Sequence, residues 1–400
     1  MEKQSHLHLV GRPNIGDRAQ FLRRVNDILD RRWLTNGGIY CEEFERRVAE
    51  LLGVRECVAM CNATVALEIA IRALGLTGEV IVPSFTFVAT AHALQWQEIT
   101  PVFADVDPET HNLDPKSVER MITPRTTAIL AVHLWGRPCP TDTLTEIAER
   151  HGLKLLYDAS HAFGCSHQGK MIGGFGNAEI FSFHATKFIN TMEGGVVTTQ
   201  DPELAEKLRF MRNFGFVGYD QVDYLGINGK MNEISAAMGL TNLESLDQYL
   251  AVNQRNYEAY HTGLADIPGL NLLAYNQHEK CNWQYIAVEI DAETAGISRD
   301  ELVSHLHANQ VIARRYFYPG CHRMEPYRSL FPHAGLLLPE TERLTDRIMV
   351  LPTGTAMSAE DVATVCQFIR EAVAKRVPIA PPGAWQYADP AAPPLQRAHA

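Results

Sequence analysis

The chain has 400 residues with a formal net charge of −11, 46% hydrophobic and 21% charged; that balance is of a globular protein with ample core, two to three domain-lengths long. An acidic chain gains nothing from counterion release on DNA, which argues against nucleic acid as a partner. No run approaches the roughly 20 apolar residues that a membrane helix needs. The start, MEKQSHLHLVGRPNIG, has no apolar signal core, and none of the eight cysteines forms a Cys-x-x-Cys pair. The expectation is a cytoplasmic protein with free thiols and no metal site.

In chain order, residues 17–32 and 42–52 carry helical apolar spacing, separated by a turn at Asn36-Gly37-Gly38. Short apolar runs then alternate with helical stretches: ECVAMC (56–61), EVIVP (79–83), PVFADV (101–106), TAILAVH (127–133), LKLLYD (153–158), AEIFSFH (178–184) and GGVVTT (194–199). Runs this continuously apolar read as strands buried on both faces, and the intervening helices supply the crossovers of a mostly parallel sheet. The expected organisation is a large α/β domain over 1–245 and a smaller α+β domain over 246–376. The connector 245–265 joins them, the small domain carries CNWQYIAVEI (281–290), and a Pro/Ala-rich tail over 377–400 reads as irregular.

The chemistry-bearing residues fall at the carboxyl ends of these strands, where parallel sheets bind ligands. Asp158 closes LKLLYD. An aspartate there is an ordinary helix cap, or a carboxylate that holds a pyridine nitrogen protonated. Lys187 follows AEIFSFH among apolar, small and hydroxyl residues, a setting that desolvates an ammonium and lowers its pKa. Ala63 and Thr64 open the helix after ECVAMC, where unpaired N–H groups suit a phosphate. Phe87, in PSFTFVAT, is either core or a ring that stacks on a flat heterocycle.

This order, with YDASHAFG (157–164), SFHATKFINTMEGG (182–195) and LGINGKMNEISAAMGL (225–240), resembles the DegT/DnrJ/EryC1/StrS sugar aminotransferases over nearly the whole chain. The resemblance implies the PLP-dependent transferase fold of type I. It also implies pyridoxal 5'-phosphate (PLP) carried by Lys187 as a Schiff base, with pyridoxamine 5'-phosphate as the half-reaction form. On matching positions Asp158 faces the ring nitrogen, His161 the phenolic-oxygen side and Phe87 the ring face. Ala63, Thr64 and Ser182 meet the phosphate, and Asn228 reaches it from the neighbouring subunit of a homodimer. Thr35, Asn36, Tyr318 and His322 are substrate candidates.

The implied reaction moves an amine from L-glutamate to a nucleotide-linked 4-keto-6-deoxy sugar, of which dTDP-4-keto-6-deoxyglucose is the first choice. Two departures bear on the substrate site: Lys230 stands where many relatives have arginine, and RRYFYPGCHRMEPY (314–327) replaces the more usual His-Tyr-x-Pro-Leu-His pattern. The alternatives are a 3-keto sugar, a cyclitol or another ketone as acceptor, and a non-catalytic PLP-binding regulator. A sugar 3-dehydratase is disfavoured, because that branch has histidine at the position of Lys187.

Overall fold

A computed structural model describes residues 7–375, so the tail at 377–400 lies outside the described residues. A seven-stranded sheet runs in the order Glu56–Met60, Gly195–Thr199, Ala178–Ser182, Lys154–Asp158, Thr126–Val132, Glu79–Pro83, Thr100–Ala104. Gly195–Thr199 runs antiparallel to both of its neighbours; every other pairing is parallel. All seven apolar runs of the sequence are these strands.

Their continuous hydrophobicity follows from burial on both faces. Val58, Val82, Leu130, Leu156, Ile180 and Val197 pack on one side with the helix Ala63–Ala73. Ile81, Ile129, Ala131, Leu155 and Tyr157 pack on the other. Alternation puts one set up and the next down, and helices cover both layers.

The helix expected at 42–52 starts earlier, as Ile39–Leu52. Gly38 offers no capping side chain, and the Glu233 carboxylate accepts from the N–H groups of Tyr40 and Cys41, both at 3.0 Å. A Cβ on Gly38 would collide with that carboxylate. The cap lies about half the chain away in sequence, so no local pattern announces it.

The second unit is an antiparallel sheet, Leu270–Leu272, Ile286–Ile290 and Ile348–Leu351, with Leu246–Leu264, Arg299–Ala308 and Ala359–Ala374 supplying its helices. The chain's first described strand, His8–Leu9, pairs in parallel with Val311–Ile312. Thr355 N–H also donates to Asn14 Oδ1 at 3.0 Å. The N-terminal stretch is therefore tied to the C-terminal half as well as to the large domain, where Asn14 Nδ2 donates to Phe188 O at 3.0 Å, and a two-residue strand has no periodicity from which to infer the first tie.

Candidate active site

Three neighbouring strands bring the expected phosphate residues together. Gly195 pairs with Met60 on one side and with Ser182 on the other. A Cβ on Gly195 would lie 2.6 Å from the Ala63 nitrogen, so only glycine lets this strand approach the helix start. Asn62 caps the helix through its side chain, accepting from Val65 N–H at 2.8 Å. The N–H groups of Ala63 and Thr64, in the first turn, have no carbonyl within the helix to bond and sit at its positive end beside Ser182. Free N–H groups so placed suit an anion.

Asp158 is buried at the end of its strand. Its Oδ2 accepts from the Thr90 hydroxyl at 2.9 Å and its Oδ1 from Ser160 N–H at 3.1 Å. Thr90 N–H in turn donates to Phe87 O at 3.2 Å, which fixes Phe87 one turn away. The Phe87 ring is 56% exposed in a sheet end otherwise packed with buried aromatics. A bare phenyl face beside an anchored carboxylate suits a flat, protonated heterocycle.

Lys187 points into this setting. Burial pushes its amine down to about 8, against the opposing pull of the Asp158 carboxylate. His161 is buried, and burial together with the charge of Lys187 holds its imidazole well below the usual histidine range. Trp135 N–H donates to His161 Nδ1 at 3.3 Å. A neutral ring with an accepting Nδ1 carries its proton on Nε2, so His161 is a hydrogen-bond donor.

The substrate candidates are dispersed. Asn36 has φ +66° and, with Arg209, Arg212, Asn213 and Lys230, lines a cavity of about 170 Å³ to which none of the residues around Lys187 contributes; Thr35 lies beside it on the exposed loop. Tyr318 is part-exposed, with the Arg299 guanidinium 5.3 Å and the Arg315 guanidinium 4.7 Å from its ring centre. His322 is turned inward: its Nδ1 meets Ser84 Oγ at 2.7 Å and its Nε2 Glu342 Oε1 at 2.6 Å. Both ring nitrogens are thereby used, Nδ1 at the end of the strand Glu79–Pro83 and Nε2 within the C-terminal segment itself. Asn228 is exposed on the arm 213–228, bridged to Asn213.

Sequence reasoning passed over Thr90, Trp135 and Tyr285. Thr90 lies three residues after Phe87, a helical spacing that could have pointed to it. Tyr285 is brought to Lys187 from 98 positions away, and its hydroxyl accepts from Nζ at 3.0 Å. No local signal carries that contact.

The chain is 34% identical over 362 residues to the dTDP-4-amino-4,6-dideoxy-D-glucose transaminase of Shigella dysenteriae, covering 90% of this chain and 98% of that protein. It is 37% identical over 316 residues to the GDP-perosamine synthase of Caulobacter vibrioides, covering 76% of this chain and 83% of that one. The crystal structure of DesI in the presence of its TDP-sugar product superposes with a TM-score of 0.89 at 51% identity, over 92% of this chain and 94% of that one. The model of the DegT/DnrJ/EryC1/StrS aminotransferase family matches residues 16–370, and the chain belongs to that family.

Proposed function

We propose that this aminotransferase uses PLP to move an amine from L-glutamate to the 4-keto group of a nucleotide-linked 4-keto-6-deoxy sugar. The observation that carries the reading is a buried lysine amine, lowered to about 8, beside a buried, anchored carboxylate. The named activities of the transaminase relative and the TDP-sugar product of DesI support the acceptor class.

The residues fit PLP without rearranged chemistry. The N–H groups of Ala63 and Thr64 and the Ser182 hydroxyl would hold the phosphate, while Phe87 would lie against the ring. Asp158 would keep the ring nitrogen protonated, and His161 Nε2–H would donate to the ring oxygen. Lys187 would carry the cofactor covalently. When bound, PLP supplies an electron sink for a carbon that gives up its proton.

Lys187 performs the proton step. A lysine at its ordinary pKa is almost wholly ammonium at pH 7.5; one near 8 is about a quarter neutral. With the cofactor bound, the neutral amine would take the proton from the donor's carbon and pass it to the cofactor, and in the second half it would carry a proton back from the cofactor to the acceptor's carbon. The Tyr285 ring lies with its centre 5.7 Å from the amine and packs in turn on Trp135.

The test is incubation with PLP, L-glutamate and dTDP-4-keto-6-deoxyglucose, following the sugar nucleotide by mass spectrometry. Replacement of the keto oxygen by an amine, abolished by Lys187→Ala, is the expected outcome. A glutamate-driven spectral change without product discards this acceptor, and the GDP-linked sugar is then the next to try, given the perosamine synthase relative. No spectral change and no product overturns the reading.

A further inference from the structure

The small unit delivers one side chain directly to the reacting nitrogen. Tyr285 precedes the strand Ile286–Ile290, and its hydroxyl oxygen accepts a hydrogen from Lys187 Nζ at 3.0 Å. The tyrosine is held from several directions. Its backbone carbonyl accepts from the Tyr275 hydroxyl at 2.9 Å. Its ring packs edge-on to Trp135, with centroids 5.4 Å apart, and lies 4.2 Å from the His161 ring. Phe188 N–H donates to Oε1 of the preceding Gln284 at 3.4 Å.

The turn before Tyr285 is built for this delivery. Asn282 donates through its side chain to His161 O at 2.8 Å and Phe163 O at 3.0 Å, tying the turn to the loop after Asp158. Trp283 then takes φ +44°, a region in which a bulky residue is strained. Strain of this kind persists where surrounding contacts over-determine it, and it collects at functional sites. Relaxing Trp283 would move the residue that touches Lys187.

We propose that Tyr285 is a positioning residue for Lys187, whose hydroxyl aims the amine and stabilises the ammonium formed when that amine takes a proton from the substrate carbon. This rests on the transamination reading above. Proton abstraction breaks a C–H bond and forms an N–H bond at Nζ, leaving the electron pair with the substrate and its cofactor. The ammonium so formed is desolvated. The groups facing it are the Asp158 carboxylate, the neutral His161 ring and Tyr285, with Tyr316 behind. Among these, Tyr285 is the one bonded directly to Nζ, and an N⁺–H donor to a neutral oxygen in a dry site is a strong pair. Tyr285 therefore makes Lys187 a better base than burial alone would leave it.

The test uses the full chain, freed of cofactor and labelled with ¹³Cε-lysine, in wild-type and Tyr285→Phe forms. The Lys187 resonance is assigned by its loss in Lys187→Ala, and its shift is followed against pH. Phenylalanine keeps the ring against Trp135 and His161 and removes only the acceptor. The expected result is a Lys187 midpoint about one unit lower in Tyr285→Phe. With cofactor restored, the glutamate half-reaction should slow about tenfold while the concentration of glutamate giving half the maximal rate stays put. An unchanged midpoint overturns the proposal, as does a rate loss that merely follows the loss of bound cofactor. The titration needs no turnover, so its failure is distinguishable from failure of the assigned reaction.

Discussion

The Thr90 hydroxyl donates to Asp158 Oδ2 at 2.9 Å, with both side chains buried. The bond fixes the direction of the carboxylate, so its charge is held where a cationic ring nitrogen would meet it. Asp158→Asn removes the charge but keeps the shape. The glutamate half-reaction, followed by stopped-flow absorbance, should slow on the order of a hundredfold or more, with Thr90→Val costing about three- to tenfold. A wild-type rate in Asp158→Asn would remove this residue from the mechanism.

Gly195→Ala tests the phosphate cradle. The added Cβ would meet the Ala63 nitrogen at 2.6 Å and its Cα at 2.7 Å, both backbone atoms that cannot swing away. The strand must retreat from the helix start, so PLP affinity measured by equilibrium dialysis should fall at least about tenfold. Unaltered affinity would place the phosphate elsewhere.

The lowered pKa of Lys187 gives a pH profile with a definite sign. Capture of PLP by the cofactor-free chain needs the neutral amine, so the rate should rise with pH through a midpoint near 8 and then level. At one unit below the midpoint it should be about a tenth of the plateau. An ordinary lysine would still be climbing near pH 10. Because Asp158 raises the amine's pKa, Asp158→Asn should move the midpoint down and speed capture at pH 7, even though it slows turnover. A profile that keeps rising to pH 10 would contradict the buried amine.

Much of this was legible in the sequence because it is local or periodic. The seven strands announce themselves as apolar runs, and Asp158 and Lys187 sit at strand ends where the sheet's crevice must be. What was not legible is carried by contacts between distant segments. Glu233 caps the helix Ile39–Leu52, His8–Leu9 pairs with Val311–Ile312, and Tyr285 reaches Lys187. His322 illustrates the converse. A histidine among aromatic and basic residues suggests a ligand-binding group, but in the fold its two nitrogens are used by Ser84 and Glu342.

His322→Ala follows from that placement. The substitution removes one of two partners from the Ser84 hydroxyl, which keeps the backbone N–H of residue 322, and one of two from Glu342 Oε1, which keeps Arg323 Nε, and it opens a void, costing about 2–3 kcal/mol of stability. Thermal unfolding should show it as a lower Tm, while the KM for the sugar nucleotide is unchanged at a temperature where the variant is folded. A raised KM with an unaltered Tm would return His322 to the substrate site.

The arm 213–228 bears on assembly. Phe214, Tyr219, Val222, Leu225 and Ile227 are all exposed on it, with Leu225 at 71% and Tyr219 at 97%. A concentration of apolar surface like this would suit a contact with a second chain, and Asn228 lies at the end of the same arm. If two chains pair through these arms and each Asn228 completes the other's phosphate site, then two crippled variants should rescue each other. Lys187→Ala lacks its own amine but still lends Asn228; Asn228→Ala retains its amine and borrows the intact asparagine. Random exchange of subunits makes half of the dimers mixed, and each mixed dimer has one complete site, so about a quarter of wild-type activity should return. Sites built within single chains would recover nothing on mixing. Leu225→Asp, which puts a charge into the apolar contact, should yield monomers by analytical ultracentrifugation and weaken PLP binding together with dimerisation. Monomers that keep full PLP affinity would separate the two effects and confine the phosphate site to one chain.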